Sequence, residues 1–161
     1  MRKIYFYLLP AAILFLGCSS QTALKLNDAI VKANEDLRIA SEDFNKKFEA
    51  ITTHNFSILE PDRKHMVSLI NQKIKNIFDL KADMPGGEDF RNAFVDYFKY
   101  EKDIYETDYK IICSVTGAED QDKLTELAVQ MKEKGKKEDA MEKSIHSEQE
   151  KFAKKNNLKL R

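Results

Sequence analysis

Two acidic side chains in the middle of the sequence have a spacing that could serve chemistry. Glu101 and Asp108 are seven residues apart, close to two helical turns, so a helix would place both on one face. That face is otherwise apolar and includes Phe94, Tyr97 and Tyr105. Inward carboxylates in a helical bundle can bind two metal ions, provided that further oxygen and imidazole ligands reach the same level.

The other ligands of such a metal site are not apparent in the sequence. Asp62 and His65 have a suitable three-residue spacing, but they lie at a predicted helix start. Glu142 and His146 are four residues apart in a highly charged stretch, where solvated or ion-paired side chains are the usual outcome. We therefore expect no metal ion and no other cofactor, and a metal-dependent bundle enzyme is the least favoured alternative.

The aromatic stretch also suggests a pocket for an apolar ligand. Its candidate lining residues are Phe94, Tyr97, Glu101, Tyr105 and Asp108. A thin bundle needs several aromatic side chains for its core in any case, because each buries about 150–250 Å². Ordinary packing is favoured, and a carrier of an apolar ligand is an alternative. The sequence contains no Gly-rich phosphate loop, G-x-S-x-G turn or Ser/His/Asp arrangement, so we expect a protein that is not an enzyme.

Apolar side chains at steps of three and four predict the helices that must position these residues. The first three predicted helices cover about residues 22–54, 60–82 and 88–117, and a fourth opens at Glu119 and extends beyond Phe152. Phe78 belongs to the apolar stripe of the second helix, and Ile111 to that of the third. The expected fold is all-α, an antiparallel up-down four-helix bundle with long first and last helices, in which the third helix supplies most of the core.

Composition agrees with one helical domain. The chain has 161 residues, of which 34% are charged, with no Trp, five Gly and three Pro. Lys and Arg total 27, and so do Asp and Glu, which gives a formal net charge of +0. A nucleic-acid-binding protein normally has a basic excess, so we expect no such partner.

The N-terminus resembles the signal peptide of a bacterial lipoprotein. Arg2 and Lys3 precede an apolar run at positions 4–16, which is shorter than the roughly 20 residues of a membrane span. The following segment, Phe15-Leu16-Gly17-Cys18, resembles a lipobox in the looser form of spirochaetal lipoproteins. The resemblance implies cleavage before Cys18 and acylation of that cysteine, for example with palmitate.

This resemblance predicts the organisation and location of the chain. Residues 1–17 would be the signal peptide, 18–22 a short lipidated tether and 23–157 the bundle domain. The lipid would anchor the protein to the outer membrane, on its periplasmic or surface side, where another protein is the expected partner. The predicted function is a non-enzymatic protein-interaction module. Cys113, the remaining cysteine, is expected to be a small buried side chain.

Overall fold

The computed structural model describes residues 18–117 and 121–159, with side chains described for 21–117 and 124–159. The predicted signal peptide, residues 1–17, lies outside the described residues, and so does the side chain of Cys18. Lipidation of Cys18 therefore stays a prediction. Within the described part of the chain, no helix is both long and apolar enough to span a membrane.

The described residues form helices and no strands, and the four longer helices pack as a bundle, which confirms the predicted all-α class. The helices are α1 (Cys18–Glu49), α2 (Glu60–Phe78), α3 (Gly87–Glu106), α4 (Asp108–Ile112) and α5 (Gln121–Lys155). A short 3₁₀ helix, Phe56–Leu59, precedes α2. The first and last helices are the longest, with 32 and 35 residues.

Paired contacts show that successive long helices run antiparallel. They join the end of one helix to the start of the next and also pair more central positions. The contacts are Lys47–Asp62 and Asp36–Lys73 between α1 and α2, Arg63–Tyr105 and Phe78–Arg91 between α2 and α3, and Phe90–Phe152 and Tyr100–Lys134 between α3 and α5.

Helix α3 supplies the centre of the core, as predicted. It packs against α1, α2 and α5. Phe90, Phe94 and Phe98 follow one another at four-residue steps, and all three are fully buried. Their rings make edge-to-face contacts along the helix, with centroids 5.4 and 6.1 Å apart. The aromatic stripe is therefore core packing at these three positions.

A two-glycine turn positions the start of α3. Gly86 has a φ of 74°, in the left-handed region that glycine adopts most readily. A Cβ on Gly87 would lie 2.4 Å from Met84 Sδ and 2.6 Å from the carbonyl oxygen of Ala82. Close packing at Gly87 and a left-handed backbone at Gly86 together explain the use of two glycines.

The helices differ from the predicted ones at their ends. Helix α1 includes Cys18 and continues without a break, so residues 18–22 are helical and do not form the predicted tether. It ends at Glu49, before the predicted end near residue 54, and His54 has a left-handed φ of 55°. Helix α2 ends at Phe78 and not near residue 82. The side chain of Phe78 is 59% exposed, contrary to its predicted inward position, and lies 5.1 Å from the Arg91 guanidinium.

The third predicted helix is interrupted at Thr107. The Thr107 hydroxyl donates a hydrogen bond to the carbonyl oxygen of Asp103, and the Thr107 backbone N–H keeps its regular helical bond to the same oxygen at 2.8 Å. The short helix α4 follows and ends at Ile112, so the predicted end near residue 117 was too late. Ile111 is 43% exposed, although the helical periodicity had placed it inward.

Candidate functional site

Three glutamates come together where α5 packs on α3. Glu101 lies on α3, and Glu138 and Glu142 lie one turn apart on α5. Glu138 is 5% exposed. One oxygen, Oε1, of each of the three carboxyl groups is buried and has no hydrogen-bond partner among the described residues. We call these three residues the carboxylate cluster.

Within the carboxylate cluster, Glu101 pairs with Glu138, and Tyr97 interacts with two of the three carboxyl groups. Glu101 and Glu138 can hydrogen-bond to each other, which requires one of the two carboxyl groups to carry a proton. The hydroxyl of Tyr97 interacts with the carboxyl groups of both Glu101 and Glu142. Tyr97 is itself buried in the core. The cluster therefore lies between the polar contacts that connect α3 with α5 and the aromatic interior.

Burial raises the pKa of all three carboxyl groups, because a low-dielectric environment disfavours their charged form. For Glu101, the negative charge of Glu138 raises the pKa further, well above its usual value. Burial raises the pKa of Glu138 to about 7, although its hydrogen bond with Glu101 acts in the opposite direction. Both members of the Glu101–Glu138 pair therefore favour their neutral form more than exposed glutamates do. The carboxylate cluster therefore retains a proton at pH values where exposed glutamates have lost theirs.

The cation one turn before Glu138 on α5 is engaged elsewhere. Lys134, one turn before Glu138, forms ion pairs with Asp108 at 2.7 Å and with Asp103 at 3.3 Å. Among the ion pairs between described residues, none includes Glu101, Glu138 or Glu142. The carboxylate cluster thus lacks the positive partner that usually accompanies buried acids.

The structure brings the predicted site residues inward but gives the two acids different partners. Phe94, Tyr97 and Tyr105 are buried in the core. Asp108 is 3% exposed and is neutralised by Lys134, whereas Glu101 belongs to the carboxylate cluster. Their shared helical face therefore does not make a single two-carboxylate site.

The predicted ligand pocket has little free space. A cavity of about 10 Å³ adjoins Tyr97, Glu101 and Tyr105, together with Asn34 and Ser41. That volume is roughly what one water molecule needs. The hydroxyl of Tyr105 donates to Ser41 Oγ at 3.2 Å, which anchors one wall of this space to α1. An apolar ligand would have to displace these side chains to enter.

The other acidic candidates differ in outcome. Asp62 pairs with Lys47 at 2.6 Å, in line with the ion-paired role predicted for it. Glu142 was expected to be solvated or ion-paired, and this was wrong for one carboxyl oxygen, which is buried and has no hydrogen-bond partner among the described residues. His146 is exposed. Cys113 is buried, as predicted, and burial raises the pKa of its thiol to about 11, so it is an unreactive side chain at neutral pH.

Sequence reasoning missed Glu138 entirely. A signal was present, because Met131, Glu138 and Ile145 repeat at seven-residue steps and so share one helical face. Many charged residues surround Glu138 in the sequence, so this seven-residue repeat was not recognised as an inward face. Among the described residues, no group of three or more His, Cys, Asp or Glu side chains is arranged to bind a metal ion.

Comparison with known proteins adds no family to this description. No significant similarity was found to a protein-family model, to a curated protein or to a solved structure.

Proposed function

We propose that this protein is a lipid-anchored bacterial protein that acts as a non-enzymatic protein-interaction module at the periplasmic or outer face of the outer membrane. The observation that carries the proposal is the N-terminal pattern, in which Arg2, Lys3 and a short apolar run lead to Gly17-Cys18. Acylation of that cysteine would hold the bundle at a membrane surface.

The helical backbone at Cys18 is compatible with this proposal. Because Cys18 lies within the described part of α1, a lipid on that residue would attach directly to a long helix. At about 1.5 Å per residue, α1 would extend roughly 48 Å from its attachment point. The bundle would thus present the sides of α1 and α5 to a partner.

The interior and the surface favour a protein partner over a small ligand. The space beside Tyr97 and Tyr105 is about 10 Å³, which suits a water molecule better than an apolar ligand. In contrast, large apolar side chains are exposed on both long helices, with Ile39 at 53% on α1 and Val129 at 62% on α5. Such residues offer contact points for another protein, although each is isolated on its surface.

The anchor is tested by mass spectrometry of the protein isolated from membranes of its native host. We expect an N-terminal peptide that begins with diacylated Cys18, and we expect Cys18→Ser to lose both the acyl mass and the membrane association. An unmodified chain that still begins at Met1 would contradict the anchor.

The interaction role is tested by photo-crosslinking on intact cells. A photoreactive residue at Val129 or Ile39 should crosslink to one defined protein, and purified samples of that protein should compete in a saturable manner. A photoreactive residue at Lys136, which is exposed and paired with Glu133, is the matched control on the same helix. Equal, non-saturable labelling at all three positions would contradict a specific module.

A further inference from the structure

Helix α5 is held to the bundle differently along its two halves. Its C-terminal half belongs to the main hydrophobic core through Ile145 and Phe152. Phe152 stacks on Phe90 with ring centroids 4.7 Å apart, and Asn156 Nδ2, just after the helix, donates to the carbonyl oxygen of Pro85 at 2.9 Å. This half is anchored by apolar burial and by direct hydrogen bonds.

The N-terminal half of α5 has weaker apolar attachment. Leu127 is buried, but it lies outside the main hydrophobic core. Between Leu127 and Ile145, the inward positions of α5 include three charged residues, Lys134, Glu138 and Glu142. Docking of this half therefore depends on polar contacts with α3 in addition to Leu127 and to Met141, which packs against the edge of the core.

Those polar contacts differ in their charge balance. Lys134 is neutralised by Asp108, and its backbone carbonyl accepts a hydrogen bond from the Tyr100 hydroxyl at 2.9 Å. One turn further along α5, Glu138 faces Glu101 with no cation between them. The contacts are thus balanced in charge at Lys134, whereas one turn further along they depend on a proton held by the Glu101–Glu138 pair.

Among the described residues, the helices packed around Glu101 line its cavity with uncharged side chains, and α5 adds an acid. On α5, Asp139 adds a further negative charge near Glu138 and Glu142. On α1, the polar residues that line the cavity at Glu101 are Asn34 and Ser41. On α2, the residues that line it are Met66 and Ile70, which are both apolar.

The remaining charged groups near these polar contacts are engaged by other partners. Arg38 of α1 bonds to Glu35 and Glu42, each at 2.6 Å. Lys137 of α5 lies over the ring of Tyr100, with Nζ 4.6 Å from the ring centroid. Neither cation forms an ion pair with the carboxylate cluster in the described residues.

We propose that the carboxylate cluster makes the docking of residues 124–142 of α5 onto α3 dependent on pH, with the protonated cluster docked and the deprotonated cluster released. Each proton lost from the cluster leaves a negative charge in a site of low dielectric constant, where that charge lacks its water shell. Release of this segment restores hydration, while Ile145 and Phe152 keep the rest of α5 in place. The inference does not depend on a lipid at Cys18.

The direction of the pH effect follows from proton binding. The raised pKa values of Glu101, Glu138 and Glu142 mean that the docked state binds more protons than the released state above the usual carboxyl range. Docking is therefore favoured at acidic pH and weakened as pH rises through the range up to about 7, the pKa of Glu138. One linked proton would raise the opening equilibrium constant by about tenfold per pH unit.

Hydroxyl-radical footprinting of the full chain at about pH 5 and about pH 8 tests this inference. Modification of Tyr97 and Met141 should increase with pH, approaching about tenfold per pH unit if one proton is linked to opening. Phe152 should stay protected, and the exposed Phe78 serves as the internal reference for radical dose.

Variants separate the proposed release from general loosening. Glu101→Gln, Glu138→Gln should show the same low Tyr97 modification at both pH values, and Glu150→Gln, an exposed control on α5, should behave as wild type. Circular dichroism at both pH values checks that each variant is folded. If the double variant is unfolded, the single variant Glu138→Gln is used in its place. Equal protection of Tyr97 at both pH values in the wild type would overturn the proposal. So would parallel exposure of Phe152, or an unchanged pH response in the folded Gln variant.

Discussion

Replacement of Glu138 by Gln should remove a large part of the pH dependence of stability. Burial raises the pKa of Glu138 from the ordinary carboxyl value of 4.5 to about 7. A carboxyl group with a raised pKa binds more protons in the folded state than in the unfolded state, so the free energy of unfolding falls as pH rises between those two values. The difference corresponds to about 3 kcal/mol at most, because each pH unit is worth about 1.4 kcal/mol.

The Glu138→Gln variant keeps the shape of the side chain and one hydrogen bond. The amide oxygen of Gln can still accept the proton of Glu101, so the variant and the wild type should be equally stable within about 1 kcal/mol near pH 4. Near pH 8, the variant should be more stable by up to about 3 kcal/mol, because it has no charge to bury. The physical cause of the gain is the avoided desolvation of Glu138.

Urea denaturation followed by circular dichroism across this pH range measures the effect. Glu150→Gln is the matched control, since it removes an exposed carboxylate from the same helix. A wild-type stability that does not fall with rising pH would refute the reasoning. A Glu138→Gln curve parallel to that of the wild type would refute it as well, because Glu138 would then titrate with the same pKa in both states.

Further predictions concern the core, the buried ion pair and the glycine turn. Phe94→Ala should lower the free energy of unfolding by about 3–5 kcal/mol, measured in urea, because Phe94 is fully buried; a loss below about 1 kcal/mol would place it at the surface. Lys134→Met should cost about 3–5 kcal/mol near pH 7 by leaving Asp108 without its cation, and adding Asp108→Asn should recover most of that loss; additive costs would contradict the pairing. Gly86→Ala should lower stability by about 1–2 kcal/mol through left-handed strain, and no change in the urea midpoint would argue against the φ of 74°.

The fold could be predicted because apolar periodicity and turn residues report on local structure. The four-residue steps of Phe90, Phe94 and Phe98 indicated a buried helix, and Pro85 with Gly86 marked the turn before it. The end of that helix could not be predicted in the same way. The apolar stripe runs on through Ile111, so the periodicity gives no sign of the interruption at Thr107.

Only some of the inward-facing acids could be recognised from the sequence. Glu101 and Asp108 stood out because they interrupt an aromatic stripe, and both are directed inward in the structure. Glu138 and Glu142 did not, because α5 carries charges on several faces and its sequence does not say which face α3 covers. The choice of Lys134 as the partner of Asp108 likewise depends on the register between two helices distant in sequence.

Protonation of the carboxylate cluster is measured most directly by carbon-detected NMR titration of the glutamate side-chain carboxyl groups in the full chain. We expect the carboxyl signal of Glu138 to titrate with a pKa of about 7, and that of Glu101 well above its usual value. Glu133, whose pKa is lowered by its hydrogen bond with Lys136, provides an exposed reference on the same helix. If Glu101 and Glu138 both titrate near 4.5, the ordinary carboxyl value, the carboxylate cluster is not a buried proton-binding group and the pH-dependent docking of α5 is wrong.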